Sequence, residues 1–403
     1  MVVLKRSTRL RKASFAAAGL VLLAAASACS GSGSGSAGQP GHGSTSRPKA
    51  ATTTIPAALA MSPAPGSVDV RLDAPIKVSA TDGTITEVVV TRAADNTLLA
   101  GAMGDGGRSW SSTAPLVPGS IYAVKVTGQG RSGAPTQENW TFSTLKPTGE
   151  LHTTVNVGAG RTYGVGVPII VQLNHPIAPD KRVAVAQRLS VTAAPGVIGA
   201  WRWFTAQELH WRPAAFYPAN TPVSLKIDFA GLDAGGGVWG VDGRSIDFQI
   251  GDAQISYVDT NAHTMTVVSN NQVLRTLPVS TGREEFPTKS GVHVVNEKMS
   301  TLMMDSTSIG IPRDSPAGYY EEVKWDVRIS NSGEFVHSAP WSTGDQGNQN
   351  VSHGCVNLSE PDGHWFFDLA HVGDPVVVTG SPVQLEPTNG YGDWQIPWAQ
   401  WAN

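Results

Sequence analysis

VDVRLDAPI at residues 68–76 and IIVQLNHPI at residues 169–177 are two versions of one strand-like pattern, separated by 101 positions. The same offset relates two further pairs, Trp110 with Trp211 and YAVKV at 122–126 with VSLKI at 223–227. A constant offset across a strand, a tryptophan and a second strand indicates a duplicated structural unit.

The repeated unit has the size of an immunoglobulin-like β-sandwich, which is built from short alternating strands over about 100 residues. We therefore predict two such sandwiches in tandem, at residues 54–147 and 148–250. Trp110 and Trp211 could present their rings to a sugar. Aromatic residues inside strand patterns are more often core residues, so we assign no chemistry to either one.

The composition also favours strands. The chain has 403 residues, of which 44 are glycine and 27 are proline, and only 15% are charged. Frequent turn residues between apolar stretches are typical of β-rich modules. The length leaves room for a third domain after residue 250.

The first 28 residues have the parts of a signal peptide. Basic residues come first, an apolar run from Phe15 to Ala26 follows, and small residues precede Cys29. The apolar run is too short to span a bilayer. Small residues before a cysteine resemble a bacterial lipobox, which implies diacylglycerol on Cys29. Alanine at Ala26, where that motif prefers leucine, leaves ordinary signal-peptidase cleavage as the alternative.

Residues 29–53 are rich in glycine, serine, proline and threonine, which predicts a flexible tether. We expect an exported protein at the outer face of the cytoplasmic membrane, lipid-anchored at Cys29. The leader contains five of the 29 basic side chains and none of the 32 acidic ones, so the mature chain is net acidic. This balance disfavours nucleic-acid binding.

A different pattern begins at Gln254. ISYV at 255–258, TMTVV at 264–268 and QVLRTLPVS at 272–280 alternate as short strands, with a turn at Asn270-Asn271. This β-meander disfavours a doubly wound nucleotide-binding fold. The glycine- and proline-containing segment at 299–320 is predicted to be a mobile lid or a plain surface loop.

SHGCVN at residues 352–357 contains Cys355, the only cysteine beyond the leader region, and His337 precedes His353 by sixteen positions. An exported chain usually pairs or omits its cysteines, so an unpaired thiol beside imidazoles indicates reactivity rather than packing of a small buried hydrophobe. A thiol nucleophile needs an imidazole base, and that base needs a third group to fix its tautomer. His337 is the first candidate, and His353 is the second.

Gly354 would let a substrate carbonyl approach the backbone, and the amides of Gly354 and Cys355 could point at a developing oxyanion. The alternative is a zinc site formed by Cys355, His337 and His353. Zinc usually takes four ligands, or three and a water, at recognisable short spacings. We therefore predict no metal and no cofactor.

His337, fourteen intervening residues, and then Ser352-His353-Gly354-Cys355 with Asn357 together resemble the signature of the L,D-transpeptidase catalytic domain. The tandem sandwiches and the closing GDWQIPW at 392–398 make the chain similar to the mycobacterial type of this family. The implied fold is mostly β: two immunoglobulin-like domains, a β-rich L,D-transpeptidase catalytic domain at 251–380, and a C-terminal tail at 381–403 that packs on a neighbouring domain.

The resemblance implies 3→3 cross-linking of peptidoglycan. Cys355 would attack the diaminopimelate carbonyl of a tetrapeptide donor stem, release D-alanine, and pass the acyl group to the diaminopimelate amine of an acceptor stem. It also implies acylation by carbapenems. In this family the matched residues have the following roles: His337 is the base, the carbonyl of Ser338 orients it, the amides of His353, Gly354 and Cys355 form the oxyanion hole, and Tyr319, Met304, Trp341, Ser352 and Asn357 line the substrate cleft.

Two other classes stay open. A cysteine hydrolase on the same site, an L,D-carboxypeptidase, would use water in place of the amine. A non-catalytic wall-binding spacer would need only the sandwiches, although the intact His337, Gly354 and Cys355 disfavour it. Tyr320 follows Tyr319 directly, so either phenol could face the cleft.

Overall fold

The computed structural model describes residues 55–403. The predicted signal peptide at 1–28, the tether at 29–53 and the lipidation site Cys29 lie outside these residues. Within the described part, no helix has both the length and the apolar character needed to cross a membrane.

The first sandwich has two antiparallel sheets. Its strands are β1 (Ala58–Ser62), β2 (Lys77–Thr81), β3 (Gly83–Arg92), β4 (Gly101–Gly104), β5 (Ser109–Ser112), β6 (Ile121–Gly130) and β7 (Pro135–Ser143). One sheet has the order β1-β2-β5-β4, and the other has the order β3-β6-β7. Inward-facing residues alternate along β6, which is typical of a sheet with one buried face.

The second sandwich is larger and contains one helix. Its elements are β8 (Gly149–Leu151), β9 (Thr153–Val155), β10 (Thr162–Tyr163), β11 (Ile169–Leu173), α1 (Pro179–Ala186), β12 (Leu189–Thr192), β13 (Gly199–Trp203), β14 (Glu208–Pro213), β15 (Pro222–Asp228), β16 (Asp233–Gly235), β17 (Val238–Gly240) and β18 (Gly243–Ile250). The sheets β10-β18-β15-β12 and β13-β14-β11-β9 enclose the core, and β16-β17-β8 forms a small third sheet.

Trp110 and Trp211 are confirmed as core residues, since each is 6% exposed. Each indole lies over a glycine of the neighbouring strand. A Cβ atom added to Gly101 would lie 2.0 Å from the ring of Trp110, and one added to Gly199 would lie 2.0 Å from the ring of Trp211. The two sandwiches therefore share one packing device.

The prediction that residues 68–76 form a strand equivalent to β11 is wrong. The strand beside Trp110 is β2, just as β11 is the strand beside Trp211. Asp69 has a φ of 52°, and the amide of Ala74 donates to the carbonyl of Arg71 in a turn. Leu72 is nevertheless fully buried, so the apolar pattern reflects core packing of an irregular segment.

The third domain has two sheets and one helix. Its elements are β19 (Gln254–Asp259), β20 (Thr264–Ser269), β21 (Gln272–Pro278), β22 (Gly291–Val294), β23 (Glu297–Asp305), β24 (Tyr320–Arg328), β25 (Phe335–Ser338), β26 (Val356–Leu358), α2 (Glu360–Leu369) and β27 (Pro375–Thr379). The sheets have the orders β21-β20-β19-β27-β22 and β23-β24-β25-β26. The apolar core of this domain contains residues of both sheets and Phe366 of α2.

The predicted meander is confirmed as β19, β20 and β21. Asn270 and Asn271 form its tight turn with φ angles of 49° and 64°, which Asn tolerates better than most residues. The loop predicted at 299–320 is shorter than expected, because its first part continues β23 to Asp305. Met303 and Met304 therefore lie on a strand, paired with Glu322 and Glu321 of β24.

The C-terminal tail docks on the second sandwich through α3 (Trp398–Trp401) and the turn before it. The guanidinium of Arg212 on β14 lies 4.6 Å from the ring centroid of Trp394, 5.5 Å from that of Trp398 and 4.6 Å from that of Trp401. The indole N–H groups of Trp394 and Trp401 donate to backbone carbonyls of the sandwich. Arg212 is 2% exposed, so its charge is held among the faces of the indole rings.

A buried histidine supports the same interface. Nδ1 of His210 on β14 lies 2.6 Å from Oδ1 of Asp393 in the tail, and its Nε2 lies 3.1 Å from Oε1 of Glu208. Burial lowers the pKa of His210, but the two carboxylates outweigh it and raise the pKa to about 9. His210 is therefore a cation at neutral pH.

Candidate active site

The predicted cysteine and histidine lie at one cavity of the third domain, with a volume of about 220 Å³. The lining residues are Met304, Tyr319, Glu321, Val323, His337, Trp341, Ser342, Asp345, Val351, Ser352, His353, Cys355 and Asn357. Eight of the ten residues predicted for the catalytic centre and cleft are among them; Ser338 and Gly354 are not.

His337 is presented to the cavity by β25. Its Nδ1–H donates to the backbone carbonyl of Ser338 at 2.9 Å, which fixes the tautomer and leaves the lone pair on Nε2. The side chain is 3% exposed. Burial lowers the pKa of His337 to about 4, although the carbonyl of Ser338 opposes this effect. The imidazole is therefore neutral at neutral pH and can accept a proton through Nε2.

Cys355 immediately precedes β26, which pairs in parallel with β25. The register aligns His337 with Asn357. Because residues two apart on an extended segment share a face, Cys355 lies on the face that carries Asn357. His337 and Cys355 thus approach the same cavity from adjacent strands, two positions apart in register.

The thiol is protonated at rest. Sγ of Cys355 donates to the carbonyl of Gly333 at 3.6 Å. Burial raises the pKa of Cys355 to about 12, against the opposing effect of the Phe335 amide. With His337 also neutral, the resting site is a thiol–imidazole pair rather than a thiolate–imidazolium ion pair.

The turn before the thiol is held by its own side chains. Gly354 has a φ of 118°, a conformation that side-chain-bearing residues rarely adopt. Its N–H donates to Oγ of Ser352 at 3.1 Å, and that hydroxyl donates to the carbonyl of Cys355 at 2.7 Å. Thr288 donates to the carbonyl of Gly354 at 2.8 Å. As an oxyanion donor, the Gly354 amide would first have to exchange its serine partner for the substrate.

His353 is part of an aromatic stack. Its ring lies 5.0 Å from the ring of Phe286 and 5.0 Å from that of Tyr319. Nη2 of Arg283 donates to Nε2 of His353 at 3.0 Å. Burial and this guanidinium lower the pKa of His353, so it is neutral and its Nε2 is engaged. Among the described residues none donates such a bond to Nε2 of His337, so His337 is the better candidate for the base.

The structure distinguishes the two adjacent tyrosines. Tyr319 lines the cavity, and burial together with the nearby Cys355 raises its pKa to about 12. Tyr320 points away, is 55% exposed and lies 4.0 Å from the guanidinium of Arg313. The expectation that Tyr319 is the residue facing the cleft agrees with this geometry.

Asn357 and Trp341 form another wall. Nδ2 of Asn357 donates to Oγ of Ser342 at 3.1 Å, while its Oδ1 is buried and has no hydrogen-bond partner in the part of the chain that the structure describes. The indole of Trp341 is 57% exposed, and its centroid lies 6.1 Å from the imidazole centroid of His337. Trp341 is therefore free to cover a bound ligand.

Several lining residues were missed by the sequence analysis: Glu321, Val323, Ser342, Asp345 and Val351. The first two had a usable signal, because alternate residues of a strand that begins near Tyr319 share its cavity face. The others reach the cavity from irregular segments, whose direction no periodicity reveals.

The described residues 55–403 contain no cluster of three or more His, Cys, Asp and Glu side chains arranged to hold a metal ion. The zinc alternative needs Cys355, His337 and His353 to converge. In this structure the Cys355 thiol donates to a backbone carbonyl, and Nε2 of His353 accepts from an arginine. The donor set therefore does not fit zinc.

Comparisons with known proteins show which family the chain belongs to. A family model for the L,D-transpeptidase catalytic domain matches residues 253–378, and one for a bacterial Ig domain matches residues 67–233. The chain is 38% identical to L,D-transpeptidase 2 of Mycobacterium tuberculosis (strain CDC 1551 / Oshkosh), over 83% of this chain and 82% of that protein. It is 35% identical to L,D-transpeptidase 5 of Mycobacterium tuberculosis (strain ATCC 25618 / H37Rv), over 86% and 76% respectively.

A solved structure of LdtMt1, an LD transpeptidase in complex with imipenem, superimposes with a TM-score of 0.51. The match has 36% sequence identity and covers 58% of this chain and all of that one. The fold and the cavity define an enzyme whose site contains a cysteine and a histidine. The chain belongs to the L,D-transpeptidase family, and it is a transpeptidase enzyme with immunoglobulin-like domains ahead of its catalytic domain.

Proposed function

We propose that this enzyme forms 3→3 cross-links between peptidoglycan stem peptides through an acyl-enzyme on Cys355. The observation that carries the proposal is the parallel pairing of β25 with β26, which brings His337 and Cys355 to one cavity from adjacent strands. The partners are a tetrapeptide donor stem and an acceptor stem with a diaminopimelate amine.

In the first half-reaction, Nε2 of His337 takes the thiol proton as Sγ of Cys355 attacks the diaminopimelate carbonyl. A carbon–sulfur bond forms, and the amide bond to the terminal D-alanine breaks. The imidazolium returns the proton to the leaving amine, so D-alanine departs neutral in its amino group. Because both groups are neutral at rest, proton transfer accompanies the attack.

In the second half-reaction, the acceptor amine attacks the thioester. His337 takes the proton released by that amine, the carbon–sulfur bond breaks, and the imidazolium reprotonates the departing Cys355 sulfur. The carbonyl of Ser338 keeps Nδ1 protonated through both steps, so Nε2 alone exchanges protons. Water in place of the amine would give an L,D-carboxypeptidase with the same residues.

The oxyanion of each tetrahedral intermediate needs backbone donors. We assign this role to the amides around His353, Gly354 and Cys355. The positive φ of Gly354 turns the backbone sharply beside the sulfur, which supports the assignment. The hydroxyl of Ser352 would release the Gly354 amide when the substrate carbonyl enters.

We also propose that carbapenems acylate Cys355, because a strained lactam carbonyl meets the same thiol and base. The relative solved with imipenem supports this expectation. Intact-mass spectrometry with a carbapenem tests it: one covalent adduct is expected on the native protein and none on the Cys355→Ala variant. An unmodified mass, with the thiol shown to be free, would contradict it.

The location of the enzyme is a further part of the proposal. We expect export to the outer face of the membrane and the cell wall, with a lipid anchor on Cys29. Metabolic labelling with a fatty acid should mark the native chain and not a Cys29→Ala variant. Release of an unlabelled native protein into the medium would instead indicate ordinary signal-peptidase cleavage.

The cross-linking reaction is tested with disaccharide-tetrapeptide as the only substrate. Mass spectrometry of the products should show a dimer that has lost one D-alanine, and the Cys355→Ala variant should give none. A tripeptide as the sole product, even at a high concentration of the tetrapeptide that also serves as acceptor, would favour the carboxypeptidase. Binding to cell walls without any product from the native enzyme would favour the spacer.

A further inference from the structure

The cavity has an unbalanced charge. Glu321 and Asp345 line it, and among residues 55–403 no lysine or arginine side chain does. Its two histidines have lowered pKa values and are neutral, as described above. Two nearby guanidinium groups already have carboxylate partners, since Arg283 pairs with Glu285 and Arg313 pairs with Asp305. The cavity therefore attracts cations and repels anions.

Glu321 lies on the wall formed by β23 and β24. It is paired across the two strands with Met304 and lies two residues from Tyr319, and both of these also line the cavity. The next residue, Glu322, pairs with Met303, and neither of these two lines the cavity. Adjacent glutamates of similar exposure thus lie on opposite faces of one strand.

Asp345 lines the cavity from a separate segment, the turn after Trp341. Its amide donates to the carbonyl of Ser342 at 2.9 Å, and its Oδ1 accepts from Nε2 of Gln349. Ser342 is also the residue whose hydroxyl accepts from Nδ2 of Asn357. Ser342 therefore contacts both the backbone of Asp345 and the side-chain amide of Asn357.

Asn357 supplies an independent sign of a ligand. The side chain is 3% exposed and lines the cavity, yet no donor among the described residues 55–403 reaches its Oδ1. A buried acceptor without a donor destabilises the protein unless water or a ligand satisfies it. Glu321, Asp345 and this amide oxygen are thus three hydrogen-bond acceptors that line the cavity, and two of them are acidic side chains.

We propose that Glu321, Asp345 and the amide oxygen of Asn357 form the subsite that recognises the acceptor, by binding the ammonium group of its diaminopimelate; that group then loses one proton to bulk water and attacks as the free amine. An alkylammonium offers three N–H donors and one positive charge, which match these acceptors. The inference rests on the proposed function and deepens it, because it assigns acceptor selection to residues that take no part in acylation of the thiol.

The same charges should act oppositely on a carbapenem that has no basic substituent, because its carboxylate is then its only charge, and the test uses such a carbapenem. Neutralising either acidic side chain weakens acceptor binding but removes repulsion of the anionic inhibitor. A variant with a distorted site would be slower both in acceptor use and in carbapenem acylation. Weaker acceptor use without slower acylation therefore indicates lost recognition of the acceptor and not structural damage.

The test uses the full enzyme with tetrapeptide donor and a diaminopimelate-containing acceptor stem. We expect Glu321→Gln and Asp345→Asn each to raise the KM for acceptor about two- to fivefold, the size expected for a partly exposed charge pair. Added salt should weaken acceptor use by the native enzyme more than by the double variant. The rate constant for carbapenem acylation, read by intact mass, should be unchanged or higher.

Glu322→Gln is the matched control and should leave the acceptor KM at the native value, because its side chain lies on the other face of β24. Equal acceptor KM in the native and double-variant enzymes would overturn the inference, as would parallel losses in acceptor use and carbapenem acylation. A native enzyme that is never acylated would refute the proposed function instead, and the two failures are therefore distinguishable.

Discussion

Two buried histidines of this molecule are in opposite charge states. His210, between the second sandwich and the C-terminal tail, has a carboxylate at each ring nitrogen and a pKa raised to about 9. His337 has a carbonyl at one nitrogen and a pKa lowered to about 4. The partners, and not the burial that both share, decide whether the imidazole is a fixed cation or a free base.

The comparison shows what keeps a buried histidine able to act as a base. A base needs one nitrogen oriented and the other empty, and a neutral carbonyl orients the ring without charging it. The two carboxylates hold the ring of His210 through both of its nitrogens and stabilise its protonated form. Neither nitrogen is then available to accept a proton. The same side chain therefore joins domains at one site and accepts protons at the other.

The most direct test of this comparison is to replace the proposed base, His337. His337→Gln should reduce the rate of carbapenem acylation by about 10²- to 10⁴-fold, because the thiol then has no proton acceptor. The control is His371→Gln, a change at an exposed histidine of the same domain. Stopped-flow absorbance of the lactam measures both rates, and a native rate in the His337 variant would remove it from the base role.

The next largest effect concerns the cationic histidine. Asp393→Asn should lower the free energy of unfolding by about 3–5 kcal/mol, since it leaves a buried imidazolium without its closest partner. Asp228→Asn, at an exposed ion pair of the same sandwich, should have little effect. Urea titration followed by tryptophan fluorescence measures both changes; equal stabilities would show that the Asp393 contact contributes nothing.

The charge of His210 also predicts a pH dependence of stability. Its folded pKa of about 9 exceeds the ordinary value of about 6.5, so the contribution is complete below pH 6.5 and is lost as pH rises through 9. The loss should approach about 3 kcal/mol at most. Subtracting the profile of a His210→Gln variant isolates the effect, and an identical slope in that variant would disprove it.

The smallest effect is expected in the pH profile of acylation. Because the pKa of His337 is about 4, the rate at pH 5 should stay close to its neutral value and fall to half near pH 4. An ordinary histidine would halve the rate near pH 6.5. Rapid pH-jump measurements with a carbapenem distinguish the two, and a midpoint above pH 6 would show that burial does not control this base.

Much of the fold was accessible from the sequence, because it depends on local patterns. Alternating strands predicted the meander, and the spacing of His337 and Cys355 predicted residues of one cavity. The prediction of a strand at 68–76 was wrong, because a core-facing irregular segment can have the same apolar spacing as a strand. Leu72 is buried there through a turn and not through a pleat.

Other features depended on contacts that no spacing encodes. The partner of His210 lies 183 positions away in the tail. Asp345 and Glu321 converge on the cavity from separate segments, and only the fold brings them together. The engagement of the Gly354 amide by Ser352 depends on backbone direction within a single turn, which residue identity does not specify.

The burial of Cys355 also affects how long the free enzyme keeps its thiol unmodified. Oxidation by peroxide and exchange with small disulfides both require the thiolate. A sulfur with a pKa of about 12 is almost entirely protonated at neutral pH and is thus a poor target for either reagent. The burial that keeps Cys355 protonated therefore also protects its sulfur from oxidation.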